Sequence, residues 1–79
     1  MSFSDLPDAP ARKHQKALER AGWETVGQEG SHIKMRHRNI AEIITLVNHG
    51  NMRKGTLRAV IRKARLSDAE YRKLFDEAN

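Results

Sequence analysis

Residues 30–36 read Gly-Ser-His-Ile-Lys-Met-Arg, an alternation of polar and apolar side chains that begins after a turn-forming glycine. Because successive side chains of a β-strand point to opposite faces of a sheet, we expect Ile33 and Met35 to enter a core. The other face then carries three polar side chains, which are His32, Lys34 and Arg36. A histidine among cations is a minimal arrangement for binding a phosphodiester and removing a proton beside it. The stretch therefore predicts a strand and indicates chemistry on RNA.

The flanking segments extend this strand into a three-stranded antiparallel sheet. Residues 23–28 contain β-formers, and residues 29–30 supply a turn into the strand over residues 31–37, which together predict a hairpin. A polar turn then leads to Ile40 and to residues 43–47, a β-branched run that favours a third strand. Trp23, at the start of the first strand, is expected in the core rather than stacked on a base.

Helices are predicted on both sides of these strands. Residues 11–21 are helix formers, and Gly22 stands where a left-handed C-terminal cap belongs. A second helix has an apolar stripe made of Leu57, Val60, Ile61 and Ala64. A last helix begins with a capping box between Ser67 and Glu70. The order α-β-β-β-α-α predicts an α+β fold, with the helices on one face of the sheet and the other face open.

Length and composition limit what the chain can be. Its 79 residues are expected to form one domain, in which residues 1–9, with Pro7, are an extended lead-in. A domain of this size buries only ~60% of the surface of its unfolded chain. Lys and Arg number 15 against 10 Asp and Glu, which gives a net charge of +5 and favours a polyanionic partner.

Localisation is predicted from what the sequence lacks. The first ten residues contain no apolar run, so no secretory or targeting segment is expected, and no stretch approaches the ~20 apolar residues of a membrane span. The absence of cysteine fits a reducing compartment. We therefore expect a cytoplasmic protein.

Four short motifs follow one another in a specific order. They are Gly-Ser-His at 30–32, His-Gly at 49–50, Lys-Gly-Thr-Leu-Arg at 54–58 and Leu-Ser at 66–67. In order and approximate spacing they resemble the HicA-type mRNA interferase toxins, and the resemblance extends over about residues 6–75. It implies a fold like that of double-stranded-RNA-binding domains, RNA cleavage without a metal and His32 as the catalytic residue. It also implies neutralisation by a HicB-type antitoxin.

The chain departs from the family pattern at three places. His14 and Gln15 stand where aliphatic residues are usual, and the segment over residues 50–54 is shorter than in typical members. Ala64-Arg65 replaces the usual Ala-Gly before the Leu-Ser pair, a change that we expect to concern helix termination. His32 is retained, so the departures bear on substrate detail more than on family assignment.

The implied chemistry can be derived from the residues themselves. The 2′-hydroxyl of RNA attacks the neighbouring phosphate once its proton is removed, and an unperturbed imidazole, with a pKa of ~6.5, accepts a proton near neutrality. Four cations are candidates for holding the phosphate: Lys34, Arg36, Arg53 and Lys54. Lys54 lies near a helix start, where free backbone N–H groups assist. One positioned base supplies ~10²–10⁴-fold, which predicts a modest enzyme.

The histidine and the four cations also have non-catalytic interpretations. His32 alone would suit a surface position in a hairpin, and the four cations would suit a solvated basic face. His37 and His49 are candidate proton donors to the leaving oxygen, but neither is favoured, since His37 has the opposite strand parity from His32 and His49 lies in a loop. Ser31 is expected to be a turn or strand residue rather than a nucleophile. The histidines lack a zinc-binding spacing and the acidic residues are dispersed, so no metal or other cofactor is predicted.

Two further functions compete with the toxin. The first is a non-catalytic RNA-binding module of the same fold, in which His32 is one contact among several. The second is a degenerate toxin that retains only antitoxin binding. Partners expected from the sequence are therefore RNA, with mRNA as substrate, and a HicB-type antitoxin protein.

Overall fold

A computed structural model describes residues 6–79, and their element order confirms the predicted α+β arrangement. The elements are α1 (Ala11–Arg20), β1 (Glu24–Glu29), β2 (His32–His37), β3 (Ile40–Val47), α2 (Lys54–Lys63) and α3 (Asp68–Ala78). Part of the predicted lead-in, residues 1–5, lies outside the described residues, and residues 6–9 are neither helix nor strand. β3 begins at Ile40, earlier than the apolar run over 43–47, because Ile40 pairs with His37 directly across the turn.

The three strands form one antiparallel sheet with β2 in its centre. Ile33 and Met35 are fully buried while their neighbours along β2 are exposed, which confirms the alternation in the sequence. β3 alternates in the same way, with Ile44 and Leu46 buried. Bulges interrupt both pairings near the Arg36 end of β2, and the pairing is regular near His32. The end of the sheet that carries His32 therefore has a well-defined register.

The helices cover the buried face of the sheet. The core combines the inward side chains of β2 and β3 with helical residues, and its largest members include Leu18, Trp23, Leu57, Ile61 and Tyr71. Trp23 lies one residue before β1 and is 2% exposed, as expected for a core residue. The opposite face of the sheet has no covering element among residues 6–79, so we call it the open face.

α1 packs against α3 through a buried polar pair. His14, which replaces the aliphatic residue usual in the family, is fully buried, and its Nδ1 lies 2.5 Å from the hydroxyl of Tyr71. The rings of Tyr71 and Phe75 both pack against the imidazole. Burial lowers the pKa of His14 to about 4, because the charged form loses its hydration. The departure at position 14 is thus accommodated by a tyrosine on α3.

α1 and α2 end in the same hydrogen-bonded motif. The Gly22 N–H donates to the Glu19 carbonyl and the Trp23 N–H donates to the Leu18 carbonyl, which is a Schellman arrangement with a left-handed residue after the C-cap. Gly22 has φ +97°, and a Cβ there would lie 2.9 Å from Nε2 of His37. His37 also packs against the Trp23 ring, so it serves the packing of this corner rather than the open face.

The second Schellman motif has arginine in the left-handed position. Arg65 has φ +62°, its N–H donates to the Arg62 carbonyl, and the Leu66 N–H donates to the Ile61 carbonyl. This confirms that the Ala-Arg replacement concerns helix termination. The predicted capping box follows at once, with reciprocal hydrogen bonds between Ser67 and Glu70. Within residues 6–79, no helix has the length and apolar character that a membrane crossing requires.

Candidate functional site

The open face carries a row of polar side chains along its central strand. His32, Lys34 and Arg36 are all exposed and alternate with the buried side chains of β2. At ~3.3 Å per residue, Lys34 lies ~7 Å from His32 along the strand and Arg36 lies ~13 Å from it. Lys34 is therefore the nearer of the two cations to the histidine, and Arg36 can contact only a more distant part of an extended ligand.

Exposed aliphatic side chains flank this polar row. Ile43 and Val47 alternate with the buried residues of β3 and are 46% and 39% exposed. Val26, on β1, is 52% exposed and lines a shallow depression together with Arg36. Clusters of exposed apolar side chains often mark interaction sites. The open face thus combines apolar surface with charges of both signs, because Glu29 pairs with His32 and Glu24 pairs with Arg36 across β1 and β2.

A cavity between the sheet and the start of α2 lies near His32, although His32 does not line it. His32 pairs directly with Val47 across the β2–β3 ladder, and Cβ atoms of directly paired residues are ~4.5–5.5 Å apart. Val47 in turn forms one wall of a cavity of about 320 Å³. The remaining lining residues come from the loop after β3 and the first turn of α2: His49, Asn51, Met52, Arg53 and Thr56. Only one side chain therefore separates the histidine from this cavity.

The loop that forms the cavity is held in place although it is short. The Asn48 N–H donates to the Ser31 carbonyl over 2.7 Å, and the Met52 N–H donates to the Ala9 carbonyl over 3.0 Å. Asn51 forms an isolated bridge with Pro10, and the Met52 side chain is buried. Residues just before α1 thus anchor the shortened loop, so its departure from the family length does not leave it detached.

A contact between Ser31 and His49 joins this loop to the start of β2. Nε2 of the exposed His49 lies 2.9 Å from Oγ of Ser31, the residue directly before His32. Sequence reasoning left His49 in an unassigned loop and did not pair it with Ser31. The missing signal was the strand register, because His32 opposite Val47 brings residues 31 and 48 together and leaves His49 beside Ser31.

The other two predicted cations lie at the start of α2. Arg53 is the N-cap residue, without a side-chain capping hydrogen bond, and its side chain is exposed and lines the cavity. Lys54, the first helical residue, is half-buried. The unpaired N–H groups of a helix start attract anions. Arg53 therefore lines the same cavity as Val47, the cross-strand partner of His32, while Lys34 and Arg36 extend away along the sheet.

The remaining histidines lie away from this site. His14 is enclosed between α1 and α3, and His37 is packed against Gly22 and Trp23. Over residues 6–79, no three side chains among His, Asp and Glu are grouped closely enough to hold a metal ion.

Comparisons with known proteins identify the relatives of this chain. A family model described as the HicA toxin of bacterial toxin–antitoxin systems matches residues 11–66. Among solved structures, the chain is similar to one from a toxin–antitoxin complex of Streptococcus pneumoniae, with a TM-score of 0.60 and 33% sequence identity. That match covers 76% of this chain and 100% of the other. Proteins with curated descriptions gave no match.

Proposed function

This chain belongs to the HicA family of toxins from bacterial toxin–antitoxin systems, and we propose that it is an endoribonuclease that cleaves mRNA without a metal ion. His32 is the catalytic base in this proposal. The observation that carries it is the exposed position of His32, next to Lys34 on the open face and one side chain from the cavity at the start of α2.

The reaction begins with the 2′-hydroxyl group of the substrate. His32 accepts its proton, the 2′-oxygen attacks the adjacent phosphorus, and the bond to the 5′-oxygen breaks as that oxygen takes up a proton. The products are one RNA fragment with a 2′,3′-cyclic phosphate and one with a 5′-hydroxyl. A single positioned base accounts for ~10²–10⁴-fold of rate, so the rate enhancement is modest in comparison with nucleases that combine several catalytic groups.

Cations on both sides of His32 hold the phosphate backbone. Lys34, at ~7 Å along the strand, neutralises the phosphate beside the cleaved bond, and Arg36 contacts a neighbouring one. Arg53 and Lys54 approach from the start of α2, where backbone N–H groups add partial positive charge. Each such contact contributes salt-dependent affinity that carries little sequence information.

The same face binds a HicB-type antitoxin. Val26, Ile43 and Val47 offer apolar contact area and surround the basic row, so an apolar surface rimmed by acidic residues is complementary to this face. An antitoxin seated there covers His32 and excludes RNA. The solved relative is part of a toxin–antitoxin complex, which supports an antitoxin partner for this chain.

Cleavage of a long single-stranded RNA in excess EDTA tests the enzymatic proposal. We expect the wild-type protein to release fragments that end in a cyclic or 3′-phosphate, and we expect His32→Ala to lose at least ~10²-fold in rate. Because His32 is exposed, the variant should keep the thermal unfolding midpoint and most of the RNA affinity of the wild type. Lys63→Ala removes an exposed charge on the helical side and serves as the control.

Three outcomes contradict the proposal in different ways. Equal cleavage by wild type and His32→Ala removes His32 from the chemistry. Intact RNA with salt-sensitive binding by both proteins leaves an RNA-binding module. Intact RNA without binding, together with retained affinity for the antitoxin, identifies a degenerate toxin.

A further inference from the structure

We propose that His49 is a second catalytic residue, which donates a proton to the leaving 5′-oxygen. This inference rests on the proposed ribonuclease function and adds the acid that the base His32 requires. Cleavage without an acid must expel an alkoxide, which is a poor leaving group. The starting observation is the contact between Nε2 of His49 and Oγ of Ser31, the residue directly before His32.

The location of His49 relative to His32 fits this role. His49 and Val47 line the same cavity, and Val47 is the direct cross-strand neighbour of His32. A phosphodiester that lies over Val47 therefore has one histidine on the β2 side and one on the loop side. Acid and base act from opposite sides of the phosphorus in an in-line displacement, since the attacking and leaving oxygens are on opposite sides.

Among the lining residues within the described range 6–79, His49 alone has suitable proton chemistry. The other lining side chains are those of Val47, Asn51, Met52, Arg53 and Thr56. Arginine stays protonated at all physiological pH values, and the remaining four do not exchange protons near neutrality. Imidazole alone is populated both with and without its second proton in this range.

The contact with Ser31 orients the acid. In the protonated ring both nitrogens are donors, so Nε2–H donates to Oγ of Ser31, which lies 2.9 Å away, and Nδ1–H remains for the substrate. The hydrogen bond from Asn48 to Ser31 and the bridge between Asn51 and Pro10 fix the loop on both sides of His49. Ser31 is therefore a positioning residue, which acts through His49.

The proton and electron balance needs no further reactant. His32 takes the proton of the 2′-hydroxyl, the bond from O2′ to phosphorus forms, and the bond from phosphorus to O5′ breaks as O5′ takes the proton of His49. His32 is then protonated and His49 is neutral. Both side chains are exposed, so exchange with water restores the starting state.

A change of leaving group tests the assignment. Cleavage is measured with an oligonucleotide that has one ordinary linkage and with its analogue that has sulfur in place of the bridging 5′-oxygen. A thiolate leaves without protonation, so an enzyme without its acid keeps activity on the sulfur substrate. We expect His49→Ala to be slowed ~10²–10⁴-fold on the oxygen substrate and to stay within about tenfold of wild type on the sulfur substrate. His32→Ala should be slow on both.

Further variants separate a chemical role from a structural one. Asn51→Ala changes the same cavity without removing an acid, so any loss should fall equally on the two substrates. Ser31→Ala should slow the oxygen substrate more than the sulfur substrate, and Ser31→Thr, which keeps the hydroxyl, should restore the wild-type ratio of the two rates.

The outcomes distinguish the inference from the function on which it rests. Equal losses on both substrates for His49→Ala, or no loss on either, overturn the role of His49 while His32-dependent cleavage stands. If the wild type cleaves neither substrate, the proposed ribonuclease function is wrong, and the proposed role of His49 as its acid is wrong as well.

Discussion

His14 and His32 lie on opposite sides of the same sheet, and their surroundings differ in burial and in hydrogen bonding. His14 is fully buried between α1 and α3, with a hydrogen bond to Tyr71, whereas His32 is exposed on the open face, between Glu29 and Val47 of the neighbouring strands. Burial keeps His14 neutral and makes its protonation a cost to the fold. Exposure leaves His32 accessible to a ligand on the open face. The comparison separates a histidine that belongs to the packing of the fold from the histidine that we propose as the catalytic base.

The largest expected difference between the surroundings of His14 and those of His32 is their contribution to the pH dependence of the free energy of unfolding. A free histidine titrates near 6.5, and burial lowers the pKa of His14 to about 4. Between these values the unfolded chain binds more protons, so the free energy of unfolding decreases as pH falls through this window and the loss is complete below about pH 4. At ~1.4 kcal/mol per pH unit, the total is about 3 kcal/mol. Urea unfolding at about pH 7, 5.5 and 4 measures it.

Two variants test whether this pH dependence comes from His14. His32→Ala should keep the wild-type curve, because that side chain is exposed and contributes little to folding. The double variant His14→Leu with Tyr71→Phe removes the buried pair and should flatten the curve between about pH 6.5 and 4. If the double variant retains the wild-type slope, carboxylates rather than His14 cause the loss of stability at low pH. The proposed difference between His14 and His32 would then be wrong.

A smaller effect is expected from the tyrosine partner alone. Tyr71→Phe removes the hydroxyl that lies 2.5 Å from Nδ1 of His14, and this buried ring nitrogen then loses its side-chain partner. Leaving a buried polar group unpaired costs ~1–3 kcal/mol, so the free energy of unfolding should decrease by that amount at neutral pH. Denaturant titration of the purified variant measures it.

The double variant again supplies the control for the tyrosine change. Replacing both partners by apolar groups of similar shape is close to neutral, so His14→Leu with Tyr71→Phe should lie within ~1 kcal/mol of wild type. A Tyr71→Phe variant as stable as wild type would show that the hydroxyl adds nothing to the packing of α1 on α3. RNA cleavage by the double variant, measured where it is folded, should match that of the wild type.

The sequence predicted the open face better than it predicted this buried pair. Alternation in β2 placed Ile33 inside and His32 outside without any knowledge of the partners, because a strand has a period of two. The contacts His14–Tyr71 and Ser31–His49 join residues 57 and 18 positions apart. Such contacts depend on helix packing and strand register, which local patterns do not specify. For the same reason His14 could be recognised only as a departure from an aliphatic position, without its partner.

The smallest predicted change in the free energy of unfolding concerns the ends of α1 and α2. Both helices end in a Schellman motif, with glycine in the left-handed position 22 and arginine in the left-handed position 65. A left-handed backbone costs a residue with a Cβ ~1 kcal/mol relative to glycine. Arg65 also forms an exposed ion pair with Glu42 over 2.8 Å, and such pairs contribute at most ~1 kcal/mol. We therefore expect Arg65→Gly to raise the free energy of unfolding by ~0.5 kcal/mol at neutral pH.

Arg65→Ala separates the backbone from the ion pair, because it removes the charge and keeps the Cβ. Denaturant unfolding should find Arg65→Gly ~1 kcal/mol more stable than Arg65→Ala, and that difference measures the left-handed backbone alone. If the two variants are equally stable, position 65 relaxes out of the left-handed region in solution and the motif at the end of α2 differs from the one at Gly22. If Arg65→Gly is less stable than wild type while still more stable than Arg65→Ala, the ion pair with Glu42 outweighs the strain. That result would explain physically why arginine is tolerated where glycine fits the backbone better.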